Sequence, residues 1–280
     1  MLDGESPANS EWRGPGWRSW PVRPLVREVA LITGAILAYF GVRNLTAGNV
    51  DPAFDNAERI YDLEQDLGIA WEDELQDVVL DNDRLVDVAN WVYIWGHWPV
   101  ILGAAVALFL LRRDRYVLLR NALFASGAIG FLFFALFPVA PPRLLDLGLV
   151  DTVTERSHAY RALQPPGLTN QYAAFPSLHA GWNLLVGIVL VLAFSHVAVR
   201  VFAVAMPVAM ALAVVMTANH FLLDVPAGAI VVLVGLAAAL ALEARKGATS
   251  TLGEDAASSE VAAGDGSARR AATRGRAPRR

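Results

Sequence analysis

The chain predicts an all-α integral membrane protein: a six-transmembrane-helix bundle with amphipathic interfacial helices between its first and second spans. Three observations carry this. The sequence is 55% hydrophobic with a positive mean hydropathy of +0.41. It contains six apolar runs near the length of about 20 residues that crosses a hydrocarbon core as helix. Most connections between the runs are short, as between neighbours in one bundle. Cysteine is absent, which excludes a disulfide framework and a thiolate metal site.

Residues 1–24 are rich in Pro, Gly, Trp and Arg and lack the apolar core of a signal peptide, so they read as a cytoplasmic arm. The first span covers 25–45, with Arg27, Glu28 and Arg43 near its ends, where they can snorkel to the interface. Residues 46–90 hold thirteen Asp or Glu against Arg59 and Arg84. Helical spacing of Phe54, Ala57, Ile60, Tyr61 and Leu67, and again of Leu75, Val78, Val79, Leu85, Val86 and Ala89, predicts two short amphipathic helices parted at Gly68. Their acids are expected on a solvated face, since the run lacks the spacing of a calcium loop.

The second span, 91–111, opens with Trp91, Tyr93, Trp95 and Trp98, residues suited to a headgroup boundary. The third, 117–137, is stopped by Pro138, Pro141 and Pro142. The polar stretch 143–174 is too long for a simple turn and reads as functional. The fourth, fifth and sixth spans cover 175–196, 199–218 and 225–242. Residues 25–243 thus form one membrane catalytic domain, and the Ala, Gly, Ser and Arg tail, 244–280, is expected to be disordered and cytoplasmic.

Basic residues set the orientation. Arg13, Arg18, Arg23, Arg112, Arg113, Arg115, Arg200, Arg245 and Lys246 all fall on one side of a six-span chain, and the acidic segment falls on the other. The positive-inside rule places both termini in the cytoplasm of a plasma (inner) membrane protein. Arg143, Ser177, His179, His220 and Asp224 then all reach the outer face.

Ionisable groups at the membrane mark a functional site. His220 and Asp224 are four residues apart, so on a helix they share a face and the carboxylate can orient the imidazole. Two histidines, an arginine and an aspartate suit phosphoryl transfer. His220 attacks phosphorus, His179 protonates the leaving oxygen and Arg143 neutralises the equatorial oxygens. Ser177 and the amides opening the fourth span can hold phosphate oxygens, because a helix N-terminus favours anions. His97, among tryptophans near the outer interface, is a further phosphate-binding candidate.

FPSLHAGW (175–182) followed by NHFLLDVPAG (219–228) resembles the second and third signature motifs of the type 2 phosphatidic acid phosphatase and haloperoxidase superfamily. APPRL (140–144) and the Phe-Pro-Ser-Leu-His form resemble its inositol phosphorylceramide synthase-like branch of phosphotransferases. The resemblance covers about residues 86–243. It implies a six-helix bundle needing no metal or other cofactor, with His220 as nucleophile, His179 as acid, Asp224 as orienter and Arg143 as phosphate ligand. Two cationic positions of the family pattern are Leu136 and Val214 here, with Arg156, Arg161, Asn170, Gln171 or His97 as possible substitutes.

The expected substrate is a lipid phosphate or phospholipid, with no nucleic-acid partner. Two other readings use the same residues. Two histidines and an aspartate could ligate a metal in a membrane hydrolase, or a polar relay could serve a transporter or structural membrane protein.

Overall fold

A computed structural model of the chain describes residues 22–46, 48, 50–156 and 170–245. The arm through residue 21, the tail from 246, and loop residues 157–169, with His158 and Arg161, lie outside the described residues. Among the described residues every regular element is helical, and the extended pairing is confined to a parallel bridge between Val139 and Ala173.

The chain divides into two compact units between Gly41 and Val42. The first holds most of α1 (Val22–Thr46), which exposes Val26, Val29, Ile32, Ile36 and Leu37, an apolar surface suited to lipid. The second holds everything described below.

Helix α2 (Val50–Leu67) is strongly amphipathic and buries Ala53, Ala57 and Ile60. Gly68, at φ +69°, ends it as expected, since a left-handed residue favours glycine. The second predicted interfacial helix is two helices, α3 (Glu72–Leu80) and α4 (Asp83–Trp95). Between them Asn82 takes an extended conformation and its side chain accepts from the Arg84 amide, an N-cap that restarts the helix. The apolar periodicity runs through this cap, which is why it suggested one helix.

The predicted second span is also broken. Helix α4 meets α5 (Trp98–Leu111) at a 47° bend. Pro99 cannot donate to the Trp95 carbonyl and its ring would clash there, so one helix cannot continue through it. Gly96 fills the corner, where a Cβ would meet the side chain of Met206 and the Val92 carbonyl. His97 is thereby fixed at an inside corner rather than on a helix face.

Helix α6 (Arg113–Leu136) leads through a 3-10 turn (Pro142–Leu144) and the short α7 (Thr152–Arg156) to α8 (Leu178–Ala193), α9 (Val197–Met216) and α10 (Asp224–Arg245). Helices α6, α9 and α10 are each long and apolar enough to cross a membrane. The bent α4–α5 pair makes a fourth if counted as one span, and α8 is a shorter apolar helix. The core of the bundle is Leu108, Leu119, Leu185, Val189 and Val232, while Leu102, Val106, Leu132, Val204 and Ile230 face outward, as a lipid solvent requires.

Small residues bring the helix starts together. A Cβ on Gly181 would lie 2.6 Å from the Gly228 carbonyl oxygen, and one on Gly228 would run into that of Ser177. Helices α8 and α10 therefore touch backbone to backbone. The Ser177 amide donates to the Asp224 carbonyl at 3.0 Å, locking the first residue of α10 to the cap of α8.

Candidate active site

His220 projects from a turn, residues 217–223, between α9 and α10. Thr217 Oγ1 donates back to the Ala213 carbonyl, Ala218 adopts φ +53°, and the amides of Asn219 and His220 both donate to the Val214 carbonyl at 3.1 and 3.0 Å. Phe221, fully buried, anchors the turn in a cluster with Ala53, Ala57 and Val139. The predicted His220–Asp224 contact forms at 3.1 Å, but across this turn rather than along a helix, because Asp224 is the first residue of α10.

The tautomer of His220 follows from its partners. Nδ1 lies 2.7 Å from the Ala174 carbonyl oxygen and 3.1 Å from Asp224 Oδ2. A carbonyl can only accept, so Nδ1 carries the hydrogen and Nε2 keeps its lone pair. Burial pushes the imidazole down to about 3, against the pull of the Ala174 carbonyl and with help from the Arg143 guanidinium, so the ring is neutral at neutral pH. Ala174 itself is held by a ladder in which its amide donates to Val139, whose own amide donates to Tyr172.

His179 stands on the first turn of α8, whose N-cap is Ser177. The Ser177 side chain is fully buried and accepts from the Ala180 amide at 3.3 Å, so the predicted phosphate-binding hydroxyl serves here as a cap. The ring of His179 is 5.7 Å from that of His220, tilted by 57°. Tyr93 stacks on it at 4.8 Å and His97 packs against it at 4.1 Å, with His97 in turn parallel to Trp182 at 5.8 Å. The bend at Gly96 thus brings His97 inside beside His179. It is 4% exposed and its Nδ1 has no hydrogen-bond partner.

Arg143 lies in the 3-10 turn. Its amide donates to the Ala218 carbonyl, its Nη1 donates to Asn219 Oδ1 at 2.6 Å, and its Nε is 3.1 Å from Asp151 Oδ2. Asn219 and Asp151 escaped the sequence reading. Asp151 is placed by a polar network. Gln76 of α3 brackets Val150 with two hydrogen bonds and reaches the Met216 carbonyl, while Asn90 of α4 exchanges two with Thr152.

The two non-cationic positions stay apolar. Leu136 is 75% exposed at the end of α6, and Val214 is fully buried beside Tyr93 and Met210. Asn170 Oδ1 accepts from the Tyr172 amide, and the side chains of Arg156 and Arg161 lie outside the described residues. Gln171 is exposed, and among the described residues His97 is the suggested substitute that packs against His179. Among the described residues, no group of three or more His, Cys, Asp or Glu side chains has a metal-binding arrangement.

One expectation is overturned. Glu64 and Glu72, read as part of a solvated face, are 0% and 1% exposed. Glu64 Oε1 accepts from the Leu223 amide at 2.6 Å and Glu72 Oε1 from the Leu222 amide at 2.8 Å. A signal was present for Glu64, which continues the Ala53, Ala57, Ile60 stripe at helical spacing.

The family model of the PAP2 superfamily matches residues 58–238, and the chain belongs to that superfamily, the one named for type 2 phosphatidic acid phosphatases. Among solved structures the chain is similar to the crystal structure of Aquifex aeolicus LpxE, with 17% identity over 60% of this chain and 93% of that one and a TM-score of 0.45. No curated protein sequence matches it.

Proposed function

We propose that this membrane protein is a lipid phosphatase or phosphotransferase that works through a phosphohistidine on His220. The observation that carries the reading is the bonding of His220. With Nδ1–H donated to Ala174 and Asp224, its free Nε2 lone pair is available for attack, and the His179 ring lies 5.7 Å away.

In the first step the Nε2–P bond forms and the bond from phosphorus to the lipid oxygen breaks. A proton from His179 goes to that leaving oxygen. In the second step a water or alcohol oxygen attacks phosphorus, its proton passes to His179, and the N–P bond breaks. Arg143, held by Asp151 and Asn219, and His97 neutralise or hydrogen-bond the equatorial oxygens, in place of the cations absent at Leu136 and Val214. Asp224 orients His220 and stabilises the positive charge on its phosphorylated ring.

The site faces the outer leaflet of a six-span protein with cytoplasmic termini. The segregation of basic and acidic residues supports this. Transfer to an alcohol, as in the inositol phosphorylceramide synthase-like branch, is favoured over hydrolysis by a cavity of about 410 Å³ beside the Arg143 turn, lined by Glu58, Tyr61, Asp62, Leu144 and Asp146 among others. Its carboxylates and tyrosine suit a hydroxyl-rich acceptor.

The test is incubation of the purified protein with membrane lipids, with and without inositol or other polyols, and identification of products by mass spectrometry. Loss of a phospho-headgroup that disappears in folded His220→Ala and His179→Ala proteins is expected. Retained turnover in either variant contradicts the mechanism.

A further inference from the structure

Three consecutive amides at the start of α10 each donate to a different buried carboxyl group: Phe221 to Asp224 Oδ2 at 2.9 Å, Leu222 to Glu72 at 2.8 Å and Leu223 to Glu64 at 2.6 Å. The three groups come from the first residue of α10, from α3 and from α2, and all are at most 1% exposed. The amides and the positive end of α10 stabilise negative charge there. They use one oxygen of each group, however, and Glu64 Oε2, Glu72 Oε2 and Asp224 Oδ1 receive no other donor. Burying an unpaired carboxylate is costly, and burying three together is more so.

The charged groups acting on Glu64 are Glu72 from α3 and Asp224 from α10, both acidic, and one contact further lie His220 and Arg143. Glu64 and Glu72 accept from consecutive amides, so their carboxyl groups lie side by side, each with a buried oxygen that meets no donor. Two ionised carboxylates side by side away from water repel each other, and a proton held between their unpartnered oxygens would remove one charge and supply the donor that neither group has. Burial above all, then the neighbouring Glu72 carboxyl, pushes Glu64 up to about 9.

We propose that Glu64 and Glu72 are positioning residues that share one proton and together clamp the turn bearing His220 and Asp224 in its reactive shape. The acidic segment ahead of the second span thereby acquires a role. Its two buried acids hold the nucleophile's turn from the side opposite Arg143's contacts with Ala218 and Asn219 in the chain. The effect on catalysis rests on the reading of His220 as nucleophile, whereas the clamp itself does not.

Hydrogen exchange at the Leu222 and Leu223 amides, followed in detergent-solubilised full-length protein and corrected for intrinsic base catalysis, reads the clamp without requiring turnover. Opening of the turn returns Glu64 to an ordinary carboxyl value, so opening releases one proton. The corrected opening constant of the wild type should therefore rise about tenfold per pH unit, levelling off above about 9. In Glu64→Gln the amide oxygen still accepts from Leu223 and the NH₂ replaces the shared proton, so the slope should vanish, and Glu72→Gln should behave alike if Glu64→Gln does not fold.

Where lipid-phosphate turnover is measurable, kcat of the wild type should fall through the same alkaline window with KM unchanged, and Glu64→Gln should not show the fall. A pH-independent wild type, or a slope that survives both substitutions, overturns the clamp. So does a turn that loosens only on chelation, since a metal ion rather than a proton would then join the carboxyls. If the exchange slope is found but no lipid substrate is turned over by wild type, the clamp stands and the proposed function falls.

Discussion

Two acceptors on a single imidazole nitrogen determine what His220 can do. Because the Ala174 carbonyl holds Nδ1–H as well as Asp224 does, the tautomer survives loss of the carboxylate charge. Asp224→Asn should lower kcat/KM by about 10²-fold, less than the roughly 10⁴-fold loss seen when a triad aspartate alone sets the tautomer; steady-state phosphate release checks this. Arg143→Lys presents one ammonium where the guanidinium meets both Asn219 and Asp151. A point charge cannot span that pair, and kcat/KM should fall about 10²-fold with the fold intact. His179, His220, Asp224 and Arg143 stand out as candidates in the sequence because ionisable side chains are rare at the ends of apolar runs. Asp151 and Asn219 do not, since a lone Asp in a polar loop and an Asn beside a His look ordinary until the 3-10 turn brings Arg143 to them.

At the scale of elements, the site is assembled by backbone contact between α8 and α10. Gly228→Ala would drive a methyl into the Ser177 carbonyl, forcing apart the cap of α8 and the start of α10 that carry His179 and Asp224. It should destabilise the protein by about 1–3 kcal/mol, read as a lower midpoint of thermal unfolding in detergent, and should lower activity further than that loss of folded protein explains. The apolar runs located α6, α9 and α10 closely because length and hydropathy alone define them. The corner at Gly96 and His97 was in principle readable from Pro99, whose ring cannot follow a helical Trp95, but the aromatic-rich apolar pattern runs straight across it. Glu64 and Glu72 were misassigned for a related reason. Periodicity arguments treat acids as solvated, and only the amides of a distant turn, contributed by residues 222 and 223, make their burial tolerable.

For the whole molecule, His220 and Glu64 act on stability in opposite directions. His220 is depressed from 6.5 to about 3, so the folded state binds fewer protons than the unfolded one between those values and stability is lost as pH falls through that window. Glu64 is raised from 4.5 to about 9, so the folded state binds more protons and stability is lost as pH rises toward 9. Above 6.5 the effect of His220 is complete and that of Glu64 remains. The thermal midpoint should decline on the alkaline side, and Glu64→Gln should flatten that decline. Topology is testable with equal directness because the chain has no cysteine. A cysteine placed at the exposed Glu58 should react with an impermeant maleimide on intact cells, and one at the exposed Arg113 or Arg200 only after permeabilisation.

A nucleophilic His220 bonds phosphorus transiently through Nε2. Rapid acid-free quenching of the purified protein with a ³²P-labelled lipid phosphate, followed by peptide mapping, tests it most directly. An acid-labile, alkali-stable label is expected on the peptide containing His220 and none on that of His220→Ala. Steady release of phosphate by wild type with no label on that peptide, and undiminished release by His220→Ala, would contradict it.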